Sequence, residues 1–159
     1  MTHLQDMSSA QAKVSDYYAR GSSPLSLEEI TEVVNMHPWI PAPHDILMLD
    51  GDVVTRSGTA VGLNPAGERL IMLTPVSNGE TVLHEDLHQG WGVGELGARV
   101  FSKILSRKNF ALFPRNVHYE QCTGCASHPD LIQKQLAAYG LRPDFPGYPN
   151  IKHYVLTEG

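Results

Sequence analysis

Proline and glycine decide how this chain can fold. The 159 residues include 11 prolines and 14 glycines, and these cluster so that the apolar pattern is cut into short pieces. Proline fixes φ and cannot donate to a helix or sheet ladder, and glycine supplies the backbone freedom that turns need. Residues 9–20 read as a short helix, capped by Ser8 or Ser9 and stopped by Gly21, with Gly21 to Pro24 as a linker. Ser26-Leu27-Glu28-Glu29 is a capping-box pattern: the Ser26 side chain bonds the N3 amide and Glu29 reaches back. Leu27, Ile30, Val33 and Val34 then form an apolar stripe. The helix should stop near Met36, because Pro38 restricts His37. Three prolines between His37 and Pro43 predict an irregular, fairly rigid connection.

Turn chemistry organises the middle of the chain. Ile46 to Leu49 and Val53-Val54 flank Asp50-Gly51, a tight-turn signal. Thr59 to Leu63 and Arg69 to Leu73 flank Asn64-Pro65-Ala66-Gly67. A small, largely antiparallel sheet is expected from about residue 45 to 74. Residues 95–106 read as the clearest helix, with Leu96, Val100, Phe101, Ile104 and Leu105 on one face. Phe110 to Phe113 reads as a buried strand. Pro129 suits the first turn of another helix and Gly140 its end. Residues 141–150 are rich in proline and glycine, and Ile151 to Leu156 reads as a last strand. This order predicts an α/β or α+β fold: a single layered domain with a small mixed or antiparallel sheet flanked by helices. Residues 1–25 form its N-terminal helix and linker, and 26–159 its core. A chain this long can bury a core without covalent staples.

Charge narrows the partners. Twelve basic against 17 acidic residues give a net charge of −5, with no basic run. Broad electrostatic binding to nucleic acid is therefore not expected. Arg107-Lys108 with Arg115 is a local patch that can guide an anionic ligand. No stretch approaches membrane-spanning length, and the N-terminus lacks an apolar signal core. The expected location is the cytoplasm, with no membrane partner. A protein partner is left open.

The two cysteines, Cys122 and Cys125, stand three residues apart. So small a loop makes a poor staple, and in a cytosolic protein the spacing reads as a metal or redox motif. Two thiolates in a tight turn can bite one zinc ion, and Gly124 lets that turn form. They supply half of a site. A thioredoxin-like pair would follow a strand directly, whereas polar residues separate Phe113 from Cys122. His118 and His128 can complete a closed HxxxCxxCxxH knuckle, which leaves no position for water.

His84-Glu85-Asp86-Leu87-His88 offers a second set. On a helix, positions i and i+4 share a face, so both imidazoles can hold one ion, with Glu85 near its bound water. The five residues resemble the HExxH pattern of zinc peptidases. Asp86 puts a charge where that family keeps an uncharged residue, and Gly90, Gly92 and Gly94 should break the helix soon afterwards. No later histidine or glutamate stands at a diagnostic spacing.

A third reading combines segments. A helix opening near Glu95, a strand at Phe110–Phe113, and a CxxC leading into another helix is similar to the order of the zinc-dependent, cytidine deaminase-like superfamily, in particular the bacterial toxin-type deaminases. The similarity spans roughly residues 45–130. It implies a zinc held by Cys122, Cys125 and a histidine, with Glu95 shuttling protons to a nucleobase-like small molecule. Val93 stands where that family places a ligand, so His84 or His88 would have to fill the place.

Three functions follow. The favoured one is a deaminase-like zinc hydrolase using Cys122, Cys125, His84 or His88, and Glu95 or Glu85. The second is a zinc peptidase using His84, Glu85 and His88. The third is a non-enzymatic adaptor or effector partner braced by zinc. Trp39, beside three prolines, reads as a core anchor ahead of a lid, Trp91 as a packing residue or the cover of a pocket, and His153 as a surface or satisfied core residue.

Overall fold

The first helix starts where its capping box dictates. The Ser26 hydroxyl accepts from the Glu29 amide at 3.1 Å, and the Glu29 carboxylate accepts from the Ser26 amide at 2.9 Å. Helix α1 then runs Leu27–Asn35, with Met36 as its C-cap. Its apolar stripe turns Ile30, Val33 and Val34 inward. The computed structural model describes residues 16–18, 25–48, 59–63, 69–73, 77–108, 114–122 and 152–157. The expected helix over 9–20 is seen at residues 16–18, where Tyr17 and Tyr18 are buried.

Five strands form one sheet: β1 (Asp45–Met48), β2 (Thr59–Leu63), β3 (Arg69–Leu73), β4 (His118–Gln121) and β5 (Lys152–Thr157), in the order β2-β3-β1-β5-β4. β1 and β3 run parallel, with Ile46 beside Ile71; the other three pairings are antiparallel. The fold is an α+β single domain with a mixed sheet. β2 and β3 pair antiparallel, as expected, and residues 64–68 between them lie outside the described residues. The hairpin expected across Asp50-Gly51 meets an obstacle. Both edges of β1 are taken, by β3 and β5, and residues 49–58 lie outside the described residues.

Interior strands read as unbroken apolar runs when both faces are covered. β3 is of this kind: Leu70, Ile71, Met72 and Leu73 are all buried. Helix α2 (Gly79–Trp91) packs on β2 and β3 and against α1 and α3 (Glu95–Lys108). It contributes Val82, Leu83 and Leu87 to the core. Each such side chain contributes about 1.5–3 kcal/mol when fully buried.

Arg115 ties α1 to the sheet. Its guanidinium donates to the carbonyls of Val34, Pro38 and Ile40, and its amide donates to Asn35. A cation at the carbonyl end of a helix also meets favourable dipole charge. Asn35 exchanges two hydrogen bonds with the Val117 backbone, which leads the chain into β4.

Two expectations about apolar residues are corrected. On α3 the core side is Ala98, Ser102 and Leu105, while Leu96, Val100, Phe101 and Ile104 are exposed. Trp39 and Trp91 are exposed too, at 43% and 41%. Periodicity marked an apolar stripe on α3, but the helix turns a neighbouring row of small residues to its neighbours. The strand expected at Phe110–Phe113 and the helix over 129–140 lie outside the described residues.

Candidate metal centre

Helix α2 carries the whole HExxH pentapeptide. Asn78 caps it: the Asn78 side chain accepts from the Thr81 amide at 2.9 Å, and Thr81 Oγ1 accepts from the Asn78 amide at 3.3 Å. Gly90 does not end the helix, contrary to expectation. Gly92 does, in the left-handed region at φ 68°, with its amide donating to the His88 carbonyl. Glycine occupies that conformation without a Cβ penalty. Gly94 then accepts from Ala98 as α3 begins. The three-residue connection folds α3 back, so that Glu95 faces the histidines one turn after leaving them.

His84, His88 and Glu95 meet at one point. His84 Nε2 lies 3.1 Å from Glu95 Oε1, His88 Nε2 lies 3.2 Å from Glu95 Oε2, and the two nitrogens are 3.2 Å apart. Tetrahedral ligands about 2.0 Å from zinc are separated by about 3.3 Å. The separations among the two imidazole nitrogens and the two carboxylate oxygens are thus close to those of ligands around one zinc ion, and one donor atom from each residue lies within 4.8 Å of the others. Among the described residues they are the group of His, Cys, Asp and Glu able to hold an ion.

The protonation pattern supports the same reading. The Val93 carbonyl can only accept, so His88 Nδ1, 2.8 Å away, donates to it. In neutral His88 this leaves a lone pair on Nε2, facing both His84 and a carboxylate oxygen. Burial lowers the pKa of His84, outweighing the raising effect of Glu95. A single proton on His84 cannot serve all three of these contacts, whereas a cation among them does. Bonding of the distal ring nitrogen to a carbonyl is also how metal-ligating histidines are oriented.

Carboxyl groups around the centre behave oppositely. Glu95 is 61% exposed. Slight desolvation pulls its pKa up, but His84, His88 and Arg99 together hold it below the usual value. Glu85 is buried, and desolvation, with Glu95 nearby, pushes its pKa up to about 8. Its Oε2 has no hydrogen-bond partner. A carboxyl near neutrality beside a ligand set is suited to taking up and returning a proton. Asp86, the residue that departs from the peptidase pattern, is fully buried, and burial pushes its pKa to about 7. Its departure is thus one of composition more than of charge. Asp86 Oδ1 accepts from Gln89 Nε2, which also donates to the Pro41 carbonyl at 2.6 Å. The proline-bearing connection is thereby fastened to the helix beneath the ligands.

The cysteine readings fare differently. Cys122 is disulfide-bonded, and the chain's other cysteine, Cys125, lies outside the described residues, as does His128. A disulfide sulfur offers no thiolate. Cys122 follows β4, an edge strand three places from β3, and is not brought to His84 and His88. His118 is exposed on β4. His153 is buried, with Nε2 2.7 Å from Asp45 Oδ1, so of its two expected settings the core one holds.

Sequence reasoning named Glu95 as a proton carrier, while the fold sets its carboxylate against His84 and His88. The signal was local: Gly92 as a left-handed stop, followed at once by a new helix. The orienting role of Val93 belongs to its carbonyl and leaves no mark in residue identity. No protein-family model matches this chain, nor does any curated protein or solved structure.

Proposed function

We propose that this chain is a metal-dependent hydrolase of the HExxH kind, with His84, His88 and Glu95 as zinc ligands and Glu85 as the proton-transferring group. The observation that carries the proposal is the meeting of His84, His88 and Glu95, whose two imidazole nitrogens and two carboxylate oxygens approach at 3.1–3.2 Å. Two histidines and a glutamate leave a fourth position open, as catalytic zinc sites do. When bound, the ion would supply a Lewis acid and lower the pKa of a ligated water towards about 7.

The protein's own groups then have separable tasks. The Val93 carbonyl holds the His88 ring by its Nδ1–H, so that Nε2 points at the ion. Arg99, 3.3 Å from Glu95 Oε1, restrains the ligand carboxylate. Glu85 would take a proton from the attacking water and pass it to the leaving group. A cation between His84, His88 and Glu95 would draw the Glu85 pKa down from about 8, since a positive neighbour favours the charged form. Peptide-like amide bonds are the substrate class this chemistry suits.

Two His and one carboxylate also suit non-haem iron(II). The buried Glu85, which an iron oxygenase would leave idle, favours hydrolysis. The deaminase-like reading draws no support from Cys122.

The test combines elemental analysis with activity. The protein should bind one equivalent of zinc and cleave a mixed fluorogenic peptide library. Glu85→Gln should retain zinc and lose cleavage. Zinc binding without cleavage of any peptide would leave the adaptor reading. Iron in place of zinc, or retention of metal in Glu95→Ala, would overturn the assignment.

A further inference from the structure

Helix α3 has a face that the metal centre does not use. Residues four apart stack in rows along a helix. Leu96, Val100 and Ile104 make one such row, and all three are exposed, Leu96 to 76%. Arg99, Lys103 and Arg107 make the adjoining row, also exposed. Phe101 borders the apolar row on its other side. Trp91 meets Phe101 edge-to-face with ring centroids 5.9 Å apart, and its indole N–H donates to the Trp39 carbonyl. The apolar surface therefore runs from α3 onto the end of α2 and the 37–43 connection.

Charge says what covers this surface. The helix holds four cations and one anion, a net +3 in a chain of net −5. Arg99 is engaged by Glu95 at 3.3 Å, but neither Lys103 nor Arg107 has an ion-pair partner among the described residues. An apolar row edged by cations and flanked by exposed tryptophan is the pattern of a helix lying in the interfacial plane of a bilayer. A bilayer accommodates an exposed amphipathic helix face of this kind without a shaped partner surface. No described helix is long and apolar enough to cross a membrane, so attachment would be peripheral.

We infer that the exposed face of α3, with Trp91 and Trp39, docks this protein onto membranes bearing anionic lipid. The inference does not rest on the metal centre.

The test is sedimentation of the full chain with vesicles of phosphatidylcholine alone and of phosphatidylcholine with roughly 30% phosphatidylglycerol. The wild type should co-sediment with the anionic vesicles only, with a blue shift of tryptophan emission, and less so at high salt. Lys103→Glu/Arg107→Glu should weaken partitioning about tenfold or more. Leu96→Asp/Ile104→Asp should weaken it similarly with an unchanged melting temperature. Wild type left in the supernatant would overturn the proposal, as would binding indifferent to both variants. So would a dimer in solution that Leu96→Asp/Ile104→Asp dissociates, since a second copy would then own the face. A fall of more than about 5 °C in the melting temperature of that variant would assign the face to packing within the native chain and overturn it equally.

Discussion

The two sides of helix α2 hold similar residues in opposite conditions. One side presents His84 and His88, half-buried at 17% and 14%, to the partly exposed Glu95. The other sinks Asp86 and Gln89 into the core, and Glu85 is buried between the two sides. Carboxyls on the two sides shift in opposite directions, Glu95 down and Glu85 and Asp86 up. Desolvation acts on all three, but only Glu95 has enough positive neighbours to overcome it. Residue type alone therefore does not assign a role here. A glutamate at the surface can be a permanently charged ligand, and one a turn away can be a group that trades protons.

The largest test removes the ligand side. His88→Ala or Glu95→Ala should weaken zinc binding by more than roughly a hundredfold, because even partners of ligands cost tenfold to a hundredfold. Competition with a chromophoric chelator measures it. An equal loss in Asp86→Asn would erase the distinction between the sides.

Next comes the pH dependence of the buried side. A carboxyl whose pKa rises on folding keeps a proton that the unfolded chain has released. Stability should therefore fall as pH rises, between 4.5 and about 8 for Glu85 and between 3.8 and about 7 for Asp86. Each group contributes about 1.4 kcal/mol per pH unit within its window and nothing further above it. Urea unfolding of the metal-free protein from pH 5 to 8 should show this slope. Glu85→Gln and Asp86→Asn should each flatten it. A flat profile would mean that both groups are ionised in the native state.

Two glycines of the same segment give the smaller effects, for different reasons. A Cβ at Gly90 would lie 2.6 Å from Ile40 Cγ2 and 3.0 Å from the Pro41 carbonyl oxygen. Gly90→Ala should cost about 1–3 kcal/mol as overpacking. A Cβ at Gly92 meets nothing within 4 Å, but φ is +68°. Gly92→Ala should cost about 1 kcal/mol through strain alone. Thermal denaturation of the two variants ranks them, and the reverse order would put the tight contact with the 37–43 connection in doubt.

What the sequence disclosed and what it hid follow from range. The capping box at Ser26 and Glu29 and the β2–β3 hairpin were legible, because each is written within a few residues. The pairing of His84 with His88 was legible for the same reason, since helical spacing fixes it. The placing of Glu95 was half legible: its chemistry was read, but its partners depend on how sharply Gly92 turns the chain. The parallel pairing of β1 with β3 was not legible, because the antiparallel turn signals nearby outweighed a pattern with no local marker. Nor was the exposure of Leu96, Val100 and Ile104. Periodicity says which residues share a face, and only the neighbours decide whether that face is covered. Trp39 and Trp91 were misread on the same ground.

The position of β5 has a consequence for how the molecule comes into being. Residues 152–157 lie in the sheet between β1 and β4, and His153 there reaches Asp45 across 108 residues of sequence. During synthesis β1, β2 and β3 can assemble early, because they emerge within about thirty residues of one another. β4 has no strand to pair with until β5 emerges. The sheet is thus finished from its late end, by pairings far apart in sequence, which form slowly. Until then one edge of β1 stays open, and the nascent chain passes through a stage in which an apolar strand is available to other chains.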